Sequence, residues 1–404
     1  MPVAEQNLVE EAKRIGLDLS DVDRRVGQWV GGGEVWEPPS KLDIRRWVHA
    51  MDYANPIHWD EDLALASEFG GITAPASFAM CMDYGHGMHP ALVGKIDDAH
   101  MILGSEEWWY SGYRIRPGQR VKQKRRFDGY DLKDTAFAGP TVFSRGDTYH
   151  YSDSEFPIAH CRTTAIRYSA TEAEKRAIYK SGSGQSAKNW TEAELAEVAR
   201  IRREWILSNR DGITPSLSRI KVGDKLLRRA IGPHSIASFV TEFRSFPFGI
   251  WGGHGWTRPQ GVEDPWVDQD TGTIKGMAFD RAAAKIDPRF TDSIYYGPAA
   301  GHVNSSKAEK VGMGRAYGYG VSMSAWLTDY VSYWAGNHGA IRHAKIAVRG
   351  PAFEGDVTYC DAEVVASENL SSLLGVPLVT LKAQLTNQEG KVIVSATMEV
   401  EISL

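Results

Sequence analysis

The sequence predicts an α+β protein built from two tandem units, each with a long buried helix covered by an antiparallel sheet. Three observations support this prediction. The 404 residues are too many for one ordinary core and suit two domains of roughly 150 to 200 residues. A helix-rich portion followed by alternating strands occurs twice along the chain. Residues at the start of each portion also recur with one spacing.

The first unit is predicted to span residues 1–170. A charged N-terminal helix precedes a short helix at 42–51, and the apolar run from Ala76 to about Gly85 is long enough for the buried helix. Four later segments alternate in polarity and are separated by turn residues, which predicts antiparallel strands. These segments are WWYSGYRI, QRVKQKRRFDGY, GPTVFSRGDTYHYS and IAHCRTTAIRYS.

The second unit, residues 216–404, follows the same order after a linker. Residues 171–215 are rich in Ala, Glu, Lys and Arg around an SGSG break, which predicts a helical linker. The segment YGVSMSAWLTDYVSYWAG is predicted to be the second buried helix. A Trp- and Gly-rich insertion at about 244–296 precedes it. The predicted strands are HAKIAVRG, GDVTYCDAEVVAS, PLVTLKAQLTN and VIVSATMEVEIS.

The repeat between the halves extends to single residues. His58 is followed eighteen positions later by Ala76, at the start of the first predicted buried helix. His302 is followed at the same offset by Gly320, at the start of the second. Because internal repeats constrain architecture more strongly than local propensity does, we expect a tandem duplication.

Composition and charge argue against several classes of function. The net charge of −5 and the pI of about 6.2 disfavour a nucleic-acid-binding protein. No stretch approaches the ~20 apolar residues of a membrane helix, and the charged N-terminus does not resemble a signal peptide, so we expect a cytoplasmic protein without membrane contact. The cysteines at 81, 161 and 360 are odd in number and far apart, without CxxC or HExxH motifs. We therefore expect no metal and no disulfide framework.

Two segments, NPIHWDEDLA and GHVNSSKAEKVGMGRAYGYG, resemble the MaoC-like (R)-specific enoyl-CoA hydratases and dehydratases. The resemblance implies two tandem hotdog folds, each a long central helix wrapped by an antiparallel sheet. The first half looks more like the N-terminal dehydratase domain of tandem members, with TAPASF at its helix start. The resemblance implies a hydro-lyase that interconverts 2-enoyl-CoA and 3-hydroxyacyl-CoA. Coenzyme A enters only as part of the substrate, no other cofactor is expected, and a homodimer is expected.

The family's diagnostic loop reads Asp-x-Asn-Pro-x-His. The resemblance implies that its Asp and His hold one water, one taking a proton from it and the other delivering a proton to the α-carbon. It also implies that a backbone N–H at the start of the long helix, here Gly320, meets the thioester carbonyl. Asn55 and His58 match in the first half, but Tyr53 holds the Asp position and Asp52 stands one place earlier.

In the second half His302 matches, and Gly297 holds the Asp position, so neither half carries the complete acid–base pair. Two arrangements remain open. The first loop bulges so that Asp52 reaches His58, or the partner comes from elsewhere, for example Asp292 or His254 of the insertion. The candidate catalytic residues are His58, Asp52, Asn55, His302 and Gly320. The family-independent alternative is that Asn-Pro forms a turn and Asp60 caps a helix.

Candidate substrate-binding residues lie in three places. One is Tyr53, and another is the strand face formed at period two by Arg120, Lys122, Lys124 and Arg126. This face either is a solvated edge or binds the phosphates of coenzyme A or of an acyl carrier protein. The third is the segment 243–266, with Trp251 and His254, which either covers an apolar pocket or is a surface excursion. The Trp-rich composition suits a bulky acyl group.

Two other classes of function remain open from the sequence. One is a thioesterase or a C–C lyase on the same fold, since a fold does not determine a reaction. The other is a non-catalytic subunit that binds acyl-CoA, for which the missing carboxylates would reflect lost activity. Glycines 312, 314, 318 and 320 have the wrong spacing for a dinucleotide motif and predict close helix packing instead.

Overall fold

The computed structural model describes residues 3–31, 38–82, 89–96, 99–180, 186–245, 267–268, 273–274, 300–368 and 375–402. Within these ranges, one ten-stranded sheet runs through both halves of the chain. No helix in the described ranges combines the length and the apolar composition that crossing a bilayer requires.

The first half places short helices before and beside a group of long strands. Its helices are α1 (Val3–Arg14), α2 (Ser20–Asp23), α3 (Lys41–Ala50) and α4 (Glu61–Ala66), with short 3-10 helices at Pro56–His58, Ala76–Cys81 and His89–Leu92. Its strands are β1 (Trp29–Val30), β2 (Ala99–Tyr110), β3 (Val121–Thr135), β4 (Gly139–Ser152) and β5 (Pro157–Ser169). The four predicted strands are all present, and β2 begins nine residues earlier than WWYSGYRI.

The second half follows the same plan after two helices, α5 (Ala170–Arg176) and α6 (Glu192–Ser208), that lie in the predicted linker. Its helices are α7 (Ile236–Arg244), α8 (Ser305–Glu309) and α9 (Gly320–Ala335), with short 3-10 helices at Ile178–Lys180, Leu217–Arg219 and Ala300–His302. Its strands are β6 (Arg229–Ile231), β7 (Val267–Asp268), β8 (Thr273–Ile274), β9 (Ala340–Val348), β10 (Thr358–Glu368), β11 (Leu378–Asn387) and β12 (Val392–Glu401). The predicted buried helix and the four predicted strands of this half are confirmed.

The two half-sheets have one topology and join edge to edge. Their strand order is β1-β3-β4-β5-β2-β9-β12-β11-β10-β6, so each half contributes its first long strand to the middle. At the junction β2 pairs antiparallel with β9, from Ser105 opposite Ala347 to Trp109 opposite His343. Reading outward from this junction, both halves continue with their fourth, third and second long strands. The tandem duplication expected from the sequence is therefore visible in the topology.

Helix α9 is the centre of the larger hydrophobic core. Most of its side chains are buried, including Trp326, Leu327 and Val331. It contacts β9, β2, β10, β11 and β12, and also the 3-10 helix at Ala76–Cys81. Because the helix is enclosed on all sides, its polar side chains must find partners inside the protein.

The first half differs from the predicted pattern at its own buried helix. The apolar run predicted to be helical from Ala76 to about Gly85 is a six-residue 3-10 helix, Ala76–Cys81, within the described residues. Its side chains from Ser77 to Cys81 are buried, as expected. The hydrophobic pattern predicted the burial correctly, but the pattern of a short apolar run does not determine which kind of helix forms.

Candidate functional site

The first candidate histidine, His58, ends a one-turn 3-10 helix that Asn55 caps through a hydrogen bond from the Ile57 N–H to Asn55 Oδ1 (3.2 Å). The His58 ring is buried, and its Nδ1 lies 2.6 Å from the carbonyl oxygen of Thr73, fifteen residues later. Burial lowers the pKa of His58 to about 3. The side chain is therefore neutral at physiological pH.

The second candidate histidine, His302, has the same local structure. It ends the 3-10 helix Ala300–His302, and its Nδ1 lies 2.7 Å from the carbonyl oxygen of Tyr317, again fifteen residues later. Burial lowers its pKa to about 4. The repeat that the sequence predicted thus includes the same hydrogen bond in both halves, from the histidine Nδ1 to the carbonyl oxygen fifteen residues later.

This hydrogen bond determines the chemistry of both rings. A carbonyl oxygen only accepts, so Nδ1 carries the proton in each neutral imidazole. The other nitrogen, Nε2, then has a free lone pair and can take a proton from water. Both histidines are therefore held in the tautomer that a general base requires.

The residues that follow each histidine are helix caps. Asp60 accepts a hydrogen bond from the Leu63 N–H and caps α4, as predicted. Asn304, at the same offset from His302, accepts from the Lys307 N–H and caps α8. These contacts hold the loops in one shape and leave Asp60 with a structural role.

The expected carboxylate partner of His58 faces elsewhere. Asp52 has φ 53° and forms an ion pair with Arg202 of α6, and its carbonyl accepts a hydrogen bond from Arg229 (2.7 Å). The structure therefore does not bring the Asp52 carboxylate and His58 together, and the hypothesis that the loop bulges toward the ring is wrong for this conformation. The local reason is the linker helix, whose Arg202 offers the carboxylate an ion pair.

Tyr53 and Asn55 do border His58. The Tyr53 ring stacks on the imidazole with centroids 5.2 Å apart, and burial raises the pKa of its hydroxyl far above the ordinary value. Asn55 Nδ2 donates to Asn337 Oδ1 (2.9 Å), which joins the first loop to the turn after α9. Both side chains line a cavity of about 60 Å³ that reaches His58.

The start of α9 is a close-packed helix N-terminus beside His302. Tyr319 is the N-cap residue of α9, and its side chain makes no capping hydrogen bond to the N–H groups of the first turn. The ring centroids of Tyr319 and His302 are 3.9 Å apart. A methyl group on Gly320 would lie 2.7 Å from the Leu103 Cβ, so a glycine is needed for this packing. The first N–H groups of a helix have no partner within it and favour negative charge.

Lys122, Lys124 and Arg126 of β3 lie on the outer side of the sheet. Val121, Gln123, Arg125 and Phe127 are buried, and the alternate side chains point outward, as the period of two predicted. Lys122 donates to the Asp153 carbonyl (3.0 Å), Lys124 lies 5.3 Å from the Tyr151 ring centroid, and Arg126 donates to the Gly27 carbonyl (3.2 Å). Arg120 directly precedes the strand.

This face is opposite the one that covers the central helices, since the inward-facing Gln123 hydrogen-bonds to the Met82 carbonyl beside Ala76–Cys81. Phosphate binding by these residues stays a prediction. Trp251, His254, Asp292 and Gly297 lie outside the described residues.

The chain is similar to known dehydratases in one segment of its sequence and in its fold. A family model described as the FAS1-like dehydratase domain region matches residues 25–161, within the first half. No curated protein matches the chain. A solved structure described as a MaoC-like dehydratase is 17% identical, covers 95% of this chain and 100% of its own, and has a TM-score of 0.58.

The chain has the double hotdog fold of the MaoC-like dehydratases. Two further structures with this likeness are a MaoC domain dehydratase from Chloroflexus aurantiacus and a MaoC-like dehydratase from Phytophthora Capsici. The first is 10% identical and covers 94% of this chain and 96% of its own, with a TM-score of 0.50. The second is 9% identical and covers 96% and 100%, with a TM-score of 0.50. The predicted resemblance is confirmed at the level of the fold.

Sequence reasoning missed three buried carboxyl groups of this double hotdog, all of which face α9 or lie on it. Glu242 lies beside Ser322, Glu106 beside Ser324, and Asp329 Oδ1 accepts from Ser77 Oγ (2.6 Å). Burial raises their pKa values to about 8, 7 and 7, respectively. A perturbed carboxyl that borders a site is a candidate functional group. None belongs to the diagnostic loop, and only the buried helix connects them.

Proposed function

We propose that the protein is a hydro-lyase that adds water to a 2-enoyl thioester, or removes it from a 3-hydroxyacyl thioester, with coenzyme A as the thiol. The observation that carries the proposal is His302, held by a carbonyl in the base tautomer and in ring contact with the residue that caps α9. The double hotdog fold and the dehydratase family match of the first half support it.

The working centre is placed in the second half because of the helix that follows each histidine. Helix α9, which begins eighteen residues after His302, has sixteen residues, whereas the element that begins eighteen residues after His58 is a 3-10 helix of six. A longer run of aligned peptide groups and free first-turn N–H groups stabilises negative charge better than two 3-10 turns do. The second half therefore has the better site for a developing enolate.

The cavity at His58 is small. Its volume of about 60 Å³ is room for a few waters at most, since each occupies ~30 Å³ in the liquid. Pockets for organic ligands are typically ~300 to 1,000 Å³. Tyr53 also stacks against the His58 ring. We infer that the first half retains the fold of the site but does not catalyse the reaction.

The proposed reaction uses the geometry of α9 directly. His302 Nε2 takes a proton from a water as the water oxygen attacks the β-carbon. Charge then moves through the α-carbon to the thioester oxygen, which the Gly320 N–H and the helix N-terminus stabilise. Since the His302 pKa is lowered to about 4, the base is in its neutral, reactive form at physiological pH.

The test is an assay with a panel of 2-enoyl-CoA thioesters of increasing acyl bulk. Loss of enoyl absorbance reports hydration, and release of free thiol reports thioester hydrolysis. The proposal predicts hydration without thiol release. Thiol release instead would identify a thioesterase, and tight thioester binding without either change would identify a non-catalytic subunit.

A further inference from the structure

The proposed reaction lacks one group, an acid that delivers a proton to the α-carbon, since Gly297 stands where the family loop has its Asp. The acid must reach the N-terminal turn of α9, where the thioester carbonyl is placed. Among the described residues, the carboxyl beside this turn is that of Glu242.

Glu242 lies on α7 and is only 2% exposed. Its carboxyl is beside the hydroxyl of Ser322, in the first turn of α9, and its Oε2 atom has no hydrogen-bond partner among the residues that the structure describes. Leaving a buried carboxyl oxygen unsatisfied costs roughly 1 to 3 kcal/mol. A ligand that completes the hydrogen bonding is one explanation of such a group in a helix-end site.

Helix α7 and His302 meet at the same turn. The ring of Phe243, the residue after Glu242, lies 6.0 Å from the Tyr319 ring, and the Tyr319 ring lies 3.9 Å from that of His302. Phe239 of the same helix would contact a methyl group on Gly318 at 3.1 Å. The acid and the base are thus positioned around one helix N-terminus by different elements.

We propose that Glu242 is the catalytic acid of the second half and replaces the missing Asp of the diagnostic loop. The inference rests on the proposed hydro-lyase function. In the hydration direction, water loses a proton to His302 Nε2 and its oxygen bonds to the β-carbon. The π electrons of the double bond pass to the α-carbon, and the Glu242 O–H proton bonds there. The proton on His302 then returns to the Glu242 carboxylate through solvent.

The protonation state of Glu242 suits this role. Burial raises its pKa to about 8, and the Ser322 hydroxyl opposes this only in part. The carboxyl is therefore protonated at physiological pH and donates, as an acid in this step must.

The test follows proton transfer at the α-carbon separately from water addition. Butyryl-CoA is saturated and cannot be hydrated, but an acid–base group at its α-carbon exchanges the α-hydrogen for deuterium in heavy water. NMR would measure this exchange just above pH 8, where the Glu242 carboxylate is populated. Crotonyl-CoA hydration is measured in parallel, and calorimetry gives butyryl-CoA affinity.

We expect Glu242→Gln to lower both exchange and hydration by about 100-fold with butyryl-CoA affinity unchanged. Glu242→Asp should recover part of both rates. Glu106→Gln, at an equally buried carboxyl beside a different serine of α9, should retain wild-type rates and is the matched control.

The outcomes separate the two proposals. Exchange and hydration at wild-type rates in Glu242→Gln would overturn the role of Glu242 and leave the hydro-lyase proposal standing. Exchange that depends on Glu242 without any hydration would overturn the hydro-lyase proposal and support the acid. If the wild-type protein binds butyryl-CoA but shows neither rate, both proposals are wrong. If Glu242→Gln does not fold, equal rates in Glu242→Asp and wild type would overturn the role of Glu242.

Discussion

Glu106 offers a quantitative test of the buried carboxyls around α9. It lies on β2 and is fully buried, and neither carboxyl oxygen has a hydrogen bond of normal geometry to the described part of the chain. Burial raises its pKa from 4.5 to about 7, although the nearby Ser324 hydroxyl and Trp108 indole oppose the shift. Each pKa unit corresponds to about 1.4 kcal/mol. The difference between the folded and unfolded pKa is therefore worth roughly 3 kcal/mol.

The sign follows from linkage. The pKa is raised in the folded protein, so the stabilising contribution of the proton is fully present below pH 4.5 and is lost as the pH rises through about 7. Glutamine does not titrate. The free energy of unfolding of Glu106→Gln, relative to wild type, should thus increase by roughly 2 to 3 kcal/mol between about pH 5 and pH 8.5.

Urea unfolding of both proteins at the two pH values measures this change. Using the difference between the two proteins removes the contributions of Glu242 and Asp329, whose pKa values are also raised and which both proteins share. If the two proteins lose stability in parallel, Glu106 does not hold a proton in the folded state and the argument from burial is wrong.

Three further predictions concern packing and polar contacts. Gly320→Ala should lower the free energy of unfolding by roughly 1 to 3 kcal/mol, because its methyl group would lie 2.7 Å from the Leu103 Cβ; thermal unfolding checks this, and an unchanged melting temperature would contradict it. Ser77→Ala should lower the free energy of unfolding by roughly 1 to 3 kcal/mol, because Asp329 Oδ1 and the Trp47 indole N–H (3.0 Å from Ser77 Oγ) both lose their hydrogen bond to Ser77; urea unfolding near neutral pH measures this, and no measurable loss of stability would contradict it. Asp52→Asn should change stability by less than about 1 kcal/mol, because Asp52 and Arg202 are 30% and 43% exposed; high salt should reduce even this difference.

Much of the fold could be predicted from the sequence because its patterns are local. The strand alternation of GPTVFSRGDTYHYS coincides with β4 at both ends, and the apolar helix of the second half is α9 within one residue at each end. The shared spacing of His58 and His302 predicted the duplication, which the structure repeats in hydrogen bonds to Thr73 and Tyr317. These signals depend only on residues close together in the chain.

The partners of the site depend on contacts between distant segments, which one sequence does not display. Asp52 is one residue from its expected position, but it pairs with Arg202, which lies 150 residues away. Glu242 meets Ser322 only because α7 packs at the start of α9. A Glu in an amphipathic helix carries no local sign of burial. The sequence therefore indicated the loop residues as the site and did not indicate Glu242 of α7.

The central claim is that the second half carries the base of a thioester hydratase. Its most direct test is the rate of crotonyl-CoA hydration by His302→Gln and by His58→Gln, with His150→Gln as the control for loss of a buried imidazole. The account predicts that His302→Gln lowers the rate by about 100-fold or more, while the other two variants, once shown to be folded, keep most of it. A rate that falls in His58→Gln and persists in His302→Gln would contradict the account and place the reaction in the first half.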